Sequence, residues 1–187
     1  FDGSLMFLRR LMKELVIPVA VAITLALLIQ ATIAKPYEIP TPSMDPTIRP
    51  FDRILANRLI YHFRDISRGD VIVFEPTVEA RASCGEQATS DIPFVKRVIG
   101  LPGDRISIVW GTRDVLINGE RYTVPSAVRN GPAPSSERQA QRVWTVPAGR
   151  LFVMGDNRPA SCDSHVWSEP YVPIDNVIGQ AEVVYWP

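Results

Sequence analysis

The sequence carries no excess of either charge: Lys and Arg total 20, and Asp and Glu total 20. A nucleic-acid binder would show a basic surplus, so that class is excluded. Histidine is limited to His62 and His165, and cysteine to Cys84 and Cys162. Without ligand spacing among them there is no metal site, and no cofactor is implied. His62 follows a strand-like segment and reads as a boundary residue. No internal repeat divides the chain. Beyond the N-terminus few segments suit long helices, while proline is abundant at 17 residues. The 187 residues suffice for one domain with a core plus an appendage. The first residue is Phe1 rather than Met, as expected of a chain trimmed at its start. Outside the cytosol the two cysteines could pair; otherwise they are unrelated buried thiols.

The one long apolar run is "LVIPVAVAITLALLIQATIA", residues 15–34. It is uncharged and matches the roughly 20 residues a helix needs to cross a bilayer. Residues 15–35 are therefore expected to form a transmembrane helix, with 1–14 as a cytoplasmic tail. Arg9, Arg10 and Lys13 favour an N-terminus inside, although Lys35, Arg49 and Arg53 even the count over a wider window. The alternative is a cleavable signal peptide ending at "TIA", for which the run is too long.

From Tyr37 onward the pattern is of strands. "DRILANRL", "DVIVF", "PFVKRVIG", "DRISIVW", "RLFVMG" and "QAEVVYW" are short, rich in Val and Ile, and bounded by turn residues. "VLINGERYTV" places Asn118-Gly119 between alternating residues, which suits a type I′ hairpin. Residues 79–91 and 129–142 read as loops. The expected fold is mainly β: an antiparallel sheet domain over 36–187, with 101–149 as a smaller hairpin and loop region, tethered by one N-terminal helix.

"SCDSH", residues 161–165, offers Ser, His and Asp, but neighbours this close do not converge into a triad, because extended side chains alternate faces. A serine can instead be activated by a neutral lysine. At an ordinary pKa near 10.4 about one lysine in 2,500 is neutral at pH 7, so the base must sit on an apolar face. Lys96, in "PFVKRVIGLPGD", shares a strand face with Phe94 and Val98; on spacing alone it is an edge-strand charge or a desolvated base. Ser43 lies in "EIPTPSMDPTIRP", residues 38–50. That stretch is either a linker or a stiffened, extended backbone that holds a nucleophile and offers an edge to a peptide.

Together these segments resemble the type I signal peptidases. "IPTPSMDPT" resembles their nucleophile box, "RGDVIVFEP" the next strand, "FVKRVIGLPGD" the general-base box and "VMGDNRPASCDS" the late box, in the family's order after an apolar span. The resemblance implies Ser43 as nucleophile and Lys96 as general base. Ser43 N–H and the Thr41 hydroxyl would form the oxyanion hole. Ser161 would orient the lysine, with Asp163, Asp156 and Arg97 in support and Asp156 near Arg97. Tyr37, Ile39, Pro40, Met44, Ile48, Ile54, Val73, Phe94 and Val95 would line the substrate pockets. Substrates would be secretory precursors cut after small residues, Ala-x-Ala in type, by an enzyme of the plasma (inner) membrane with its catalytic domain outside the cytoplasm. In that compartment a Cys84–Cys162 disulfide is expected.

His165 stands where the family usually has Arg, so a pH-dependent pair with Asp163 would replace an ion pair. The segment after it is also two residues longer than the family pattern. Two other readings stay open: a relative specialised for conjugation or pilin processing, and an inactive membrane-anchored β domain that binds extended peptides.

Overall fold

The structure, a computed structural model, describes residues 10, 12–85, 92–125, 128–133 and 135–186. The chain divides into two compact units, Phe1–Lys35 and Pro36–Pro187. In the first, a π-helical turn at Met12–Val16 leads into an α-helix, α1, at Ile17–Ile33. The single spanning helix expected over 15–35 is not formed as one element. The uncharged run is shared between the π turn, α1 and the first residue of a strand, Ala34. The change of helical pitch falls directly before Pro18, which has no N–H to give to the preceding turn. At 1.5 Å per residue α1 reaches about 26 Å, short of a hydrocarbon core of about 30 Å. Among the described residues no helix is long and apolar enough to cross a membrane.

Two sheets follow, which lie in the second unit apart from the first two residues of β1. The larger is formed by β1 (Ala34–Glu38), β2 (Arg53–Asn57), β3 (Val71–Phe74), β4 (Phe94–Gly100), β9 (Arg150–Met154), β10 (Val172–Pro173) and β11 (Val177–Trp186). Its seven strands run in the order β1-β2-β11-β3-β4-β9-β10. The ladders from β2 through to β10 are antiparallel. The smaller sheet contains β5 (Arg105–Ile108), β6 (Val115–Ile117), β7 (Glu120–Tyr122) and β8 (Val143–Thr145), in the order β7-β6-β5-β8, again antiparallel. The fold is thus mainly antiparallel β. Asn118 and Gly119 both have positive φ, 55° and 88°, and Ile117 pairs directly with Glu120. That geometry is a two-residue turn whose twist matches its strands.

Both faces of the larger sheet are covered, which is why all seven residues of β4 are buried. On one face Ile72, Phe74, Phe94, Val98, Leu151, Val153 and Trp167 form a cluster. On the other, Ile39, Met44, Ile48, Ile54, Ala56, Val73 and Val95 form a second. A third cluster joins the small sheet to β4 and β9 through Ile106, Trp144, Ile99 and Phe152. Large apolar side chains of this kind contribute roughly 1.5–3 kcal/mol each on burial.

The two expected loops are partly helical. The 79–91 segment begins inside a helix at Val78–Ser83, because the Thr77 hydroxyl accepts from Ala80 N–H at 3.2 Å and caps it. The rest of that segment, 86–91, lies outside the described residues. Within 129–142, a turn of helix at Glu137–Ala140 is capped in the same way by Ser136, at 3.2 Å from Gln139 N.

Candidate active site

Ser43 occupies a 3-10 turn, Pro42–Met44, in a loop that closes on itself. Ile39 N–H donates to Asp52 O at 3.0 Å, and Phe51 N–H to Ile39 O at 2.7 Å. The Asp45–Pro46 peptide is cis. Met44 and Ile48 anchor the loop by burying their side chains in the cluster beneath β2 and β3. The prolines therefore shape a folded turn rather than a free linker, and apolar residues hold it down.

Lys96 stands in the middle of β4, opposite Ile72 of β3. Its Nζ lies 2.8 Å from Ser43 Oγ and 5.6 Å from the centre of the Phe94 ring. The two residues are 5% and 6% exposed, so little water reaches the pair. Thr41 Oγ1 is 3.1 Å from Ser43 Oγ. Three hydroxyl and amine groups thus meet on one wall of a cleft of about 250 Å³, which is lined mostly by apolar groups.

The loop after β9 supports this pair from behind. Asp156, fully buried, accepts from Arg97 Nε at 2.8 Å, from Arg97 Nη2 at 2.5 Å and from the Thr47 hydroxyl at 2.6 Å. A bidentate pair of this kind fixes both planes. Asn157 donates through its backbone N–H to Ser43 O and through Nδ2 to Pro42 O, each at 3.0 Å. Arg129 pairs with Asp45 and donates its N–H to Asp156 O at 2.8 Å.

Asp163 is also fully buried. Burial alone would raise its pKa, but His165 Nδ1 at 2.5 Å and Gly155 N–H at 2.9 Å outweigh that cost and hold it below the ordinary carboxylate range. The His165 ring stacks edge-on to Trp110 at 6.2 Å. Arg158 is buried, which pushes its pKa down against the pull of Asp163 and Asp156; its Nε donates to Gly155 O at 3.0 Å.

Not every expected site residue is where the resemblance implies. Ile39, Pro40, Phe94 and Val95 line the cleft. Met44, Ile48, Ile54 and Val73 do not: they are core residues under the Ser43 turn, turned inward by strand alternation and by the loop's own anchoring. Tyr37 packs against the same cluster from the edge strand. Ser161 does not hydrogen-bond Lys96. Its Oγ lies near Asp163 without completing a hydrogen bond among the described residues. Cys84 and Cys162 are joined by a disulfide, which itself lines the cleft, as does Ala160. Trp167 Nε1 points at Cys84 Sγ from 3.2 Å. Thr47, Gly155, Asn157 and Arg158 were not singled out by sequence reasoning. The last three lie inside the quoted late box, so their signal was present but carried no geometry.

A family model for the signal peptidases, peptidase S26, matches residues 12–186. The chain belongs to that family. A signal peptidase I from Leptolyngbya laminosa is 38% identical over 174 residues, covering 90% of this chain and 77% of that protein. A probable signal peptidase I-1 from Synechocystis is 37% identical over 177 residues, covering 94% and 83%. A signal peptidase I from Enterococcus faecalis, among solved structures, aligns with 64% of this chain and 98% of its own at 26% identity and a TM-score of 0.43. This S26 peptidase is accordingly a hydrolase, and signal-peptide removal is the activity its family supports.

Proposed function

We propose that the chain is a membrane-tethered serine endopeptidase that removes signal peptides from secretory precursors by a Ser43–Lys96 dyad. The observation that carries this reading is the 2.8 Å approach of Lys96 Nζ to Ser43 Oγ at the wall of the apolar cleft. Ser43 Oγ attacks the scissile carbonyl carbon while its proton passes to neutral Lys96. The oxyanion is met by Ser43 N–H and the Thr41 hydroxyl; one such donor is worth roughly 3–4 kcal/mol. Lys96 then gives its proton to the leaving amine as the C–N bond breaks. A water attacks the acyl ester as Lys96 takes its proton, and Lys96 returns that proton to Ser43 Oγ as the acyl C–O bond breaks, which frees the acid product and regenerates the neutral amine.

Burial penalises the charged amine, which suits Lys96 to a base's role. Arg97 and Asp156 fix the neighbouring strand residue against the late loop, and Asp163 with His165 holds Gly155 N–H. The narrow cleft, bounded by Ile39, Phe94, Val95 and the disulfide, favours small side chains next to the cut, as in Ala-x-Ala. The uncharged run of residues 15–34 serves as the tether through the π turn and α1 taken together, which follow one another without a gap, with the N-terminus in the cytoplasm and the catalytic unit outside, a compartment in which a disulfide persists.

The test compares wild type with Ser43→Ala and Lys96→Ala on a precursor ending in Ala-x-Ala. Both variants should stay folded and lose cleavage; full activity in either defeats the dyad. Activity should also fall as pH is lowered, since protonated Lys96 cannot accept the serine proton. A rate profile flat down to about pH 5 would contradict a lysine base.

A further inference from the structure

We infer that Asn157 is a positioning residue that aims the oxyanion hole. The inference rests on the Ser43–Lys96 reading and goes one residue beyond it. A peptide unit is planar, and in the trans form its C=O and N–H point in opposite directions. The carbonyl of Pro42 and the N–H of Ser43 belong to one such unit. Whatever holds Pro42 O therefore sets where Ser43 N–H points, and Ser43 N–H is the donor that the proposed chemistry needs.

Among the described residues two groups hold Pro42 O. Asp45 N–H reaches it from within the turn at 3.1 Å, and Asn157 Nδ2 reaches it from the loop after β9 at 3.0 Å. The first bond moves with the turn. Only the second ties the peptide plane to a different part of the fold. Asn157 also donates its backbone N–H to Ser43 O at 3.0 Å, on the carbonyl that follows the nucleophile. The two carbonyls flanking Ser43 are thus gripped by one buried residue, and the planar trans unit turns Ser43 N–H away from Asn157 while Ser43 itself lines the cleft. The residue is in turn seated through its neighbour Asp156, whose carboxylate is locked by Arg97 and whose carbonyl receives Arg129 N–H.

Asn157→Ala and the isosteric Asn157→Asp separate this role from general support, because both keep the backbone bond to Ser43 O. Alanine removes the donor. Aspartate sets a carboxylate oxygen against Pro42 O and repels it. Complete loss of an oxyanion donor costs about 10²–10³-fold in kcat. Because Asp45 N–H still restrains the carbonyl, we expect kcat to fall roughly tenfold in Asn157→Ala and further in Asn157→Asp, with KM within about twofold. Affinity for a peptide aldehyde, which adds to Ser43 and places its oxygen in the hole, should fall by the same factor as kcat, and the pH profile set by Lys96 should not move. Wild-type kcat in both variants overturns the inference. So does a loss confined to KM, or one that leaves aldehyde affinity intact, since either would mark ordinary structural support. Ser43→Ala is run alongside: turnover in that variant would defeat the dyad reading itself, whatever Asn157 does.

Discussion

Gly155 is the position where the smallest change should cost the most. Its backbone has no unusual conformation to explain a glycine; space does. A Cβ built there meets Ser43 O at 2.4 Å, Ser161 Oγ at 2.2 Å and Ser161 Cβ at 2.6 Å, whereas ordinary contacts begin at 3.4 Å. The Ser161 hydroxyl could rotate away, but its Cβ at 2.6 Å could not. Ser43 O is backbone and would have to retreat by about 1 Å, the difference between 3.4 and 2.4 Å. That oxygen belongs to the residue whose Oγ lies 2.8 Å from Lys96 Nζ, and the retreat would strain its bond from Asn157. A displacement of about 1 Å in a reacting group can cost about a hundredfold in rate. Overpacking of this kind also destabilises by about 1–3 kcal/mol. Gly155→Ala should therefore lower kcat/KM on an Ala-x-Ala precursor by about a hundredfold while the protein still melts cooperatively. Activity within about threefold of wild type, in a protein of unchanged melting temperature, would show that the late loop gives way freely and that the close approach is not what holds the nucleophile.

Two further outcomes concern stability. The pKa of Asp163 is depressed in the folded state, so its contribution is present above the unfolded value near 3.9 and is lost as pH falls through the lower folded value. Asp70, held down first by Arg64, and Asp104, held down by Leu101 N–H and then by Arg68, act in the same direction. Asp163→Asn should flatten the fall of stability in acid by up to one proton's worth of slope, read from denaturant unfolding between about pH 5 and pH 2; an unchanged slope would remove Asp163 from the account. Replacing Cys84 and Cys162 together by serine opens a closure of 78 residues in sequence and should lower stability by about 2–5 kcal/mol, seen as a lower melting temperature. An unchanged melting temperature would show that the Thr77-capped helix is secured without the bridge.

Much of the sheet was legible because short Val- and Ile-rich runs between turn residues have few other uses. β2, β3, β4, β5 and β9 fall within segments read as strands, β11 begins three residues before its segment, and Asn118-Gly119 announced its own hairpin. β1, β8 and β10 were harder. "AKPYE" and "VWT" carry no clear alternation, and β10 is two residues whose strand state comes from β9 alongside. The misplaced pocket walls have a common cause. Alternation separates one face of a strand from the other, but not the face that meets substrate from the one that meets the core. Met44, Ile48, Ile54 and Val73 are apolar and close to Ser43 in either case. The role inferred for Asn157 was invisible for a different reason: an amide has no partner until two loops 115 residues apart in the chain are brought together. The apolar run of residues 15–34 looked like one helix because hydropathy is blind to a change of helical pitch.

The proposed dyad is divided between two kinds of structure. Lys96 rides on β4, flanked by β3 and β9 and buried along its whole length. Ser43 rides on a single turn, moored by a few side chains and carbonyl bonds. Amides of a central strand exchange with solvent only when the whole domain opens, whereas a moored turn can open by itself at lower free energy. Warming would therefore release the serine from the lysine before it melts the sheet, so the enzyme's working temperature range is a property of the mooring and not of the core.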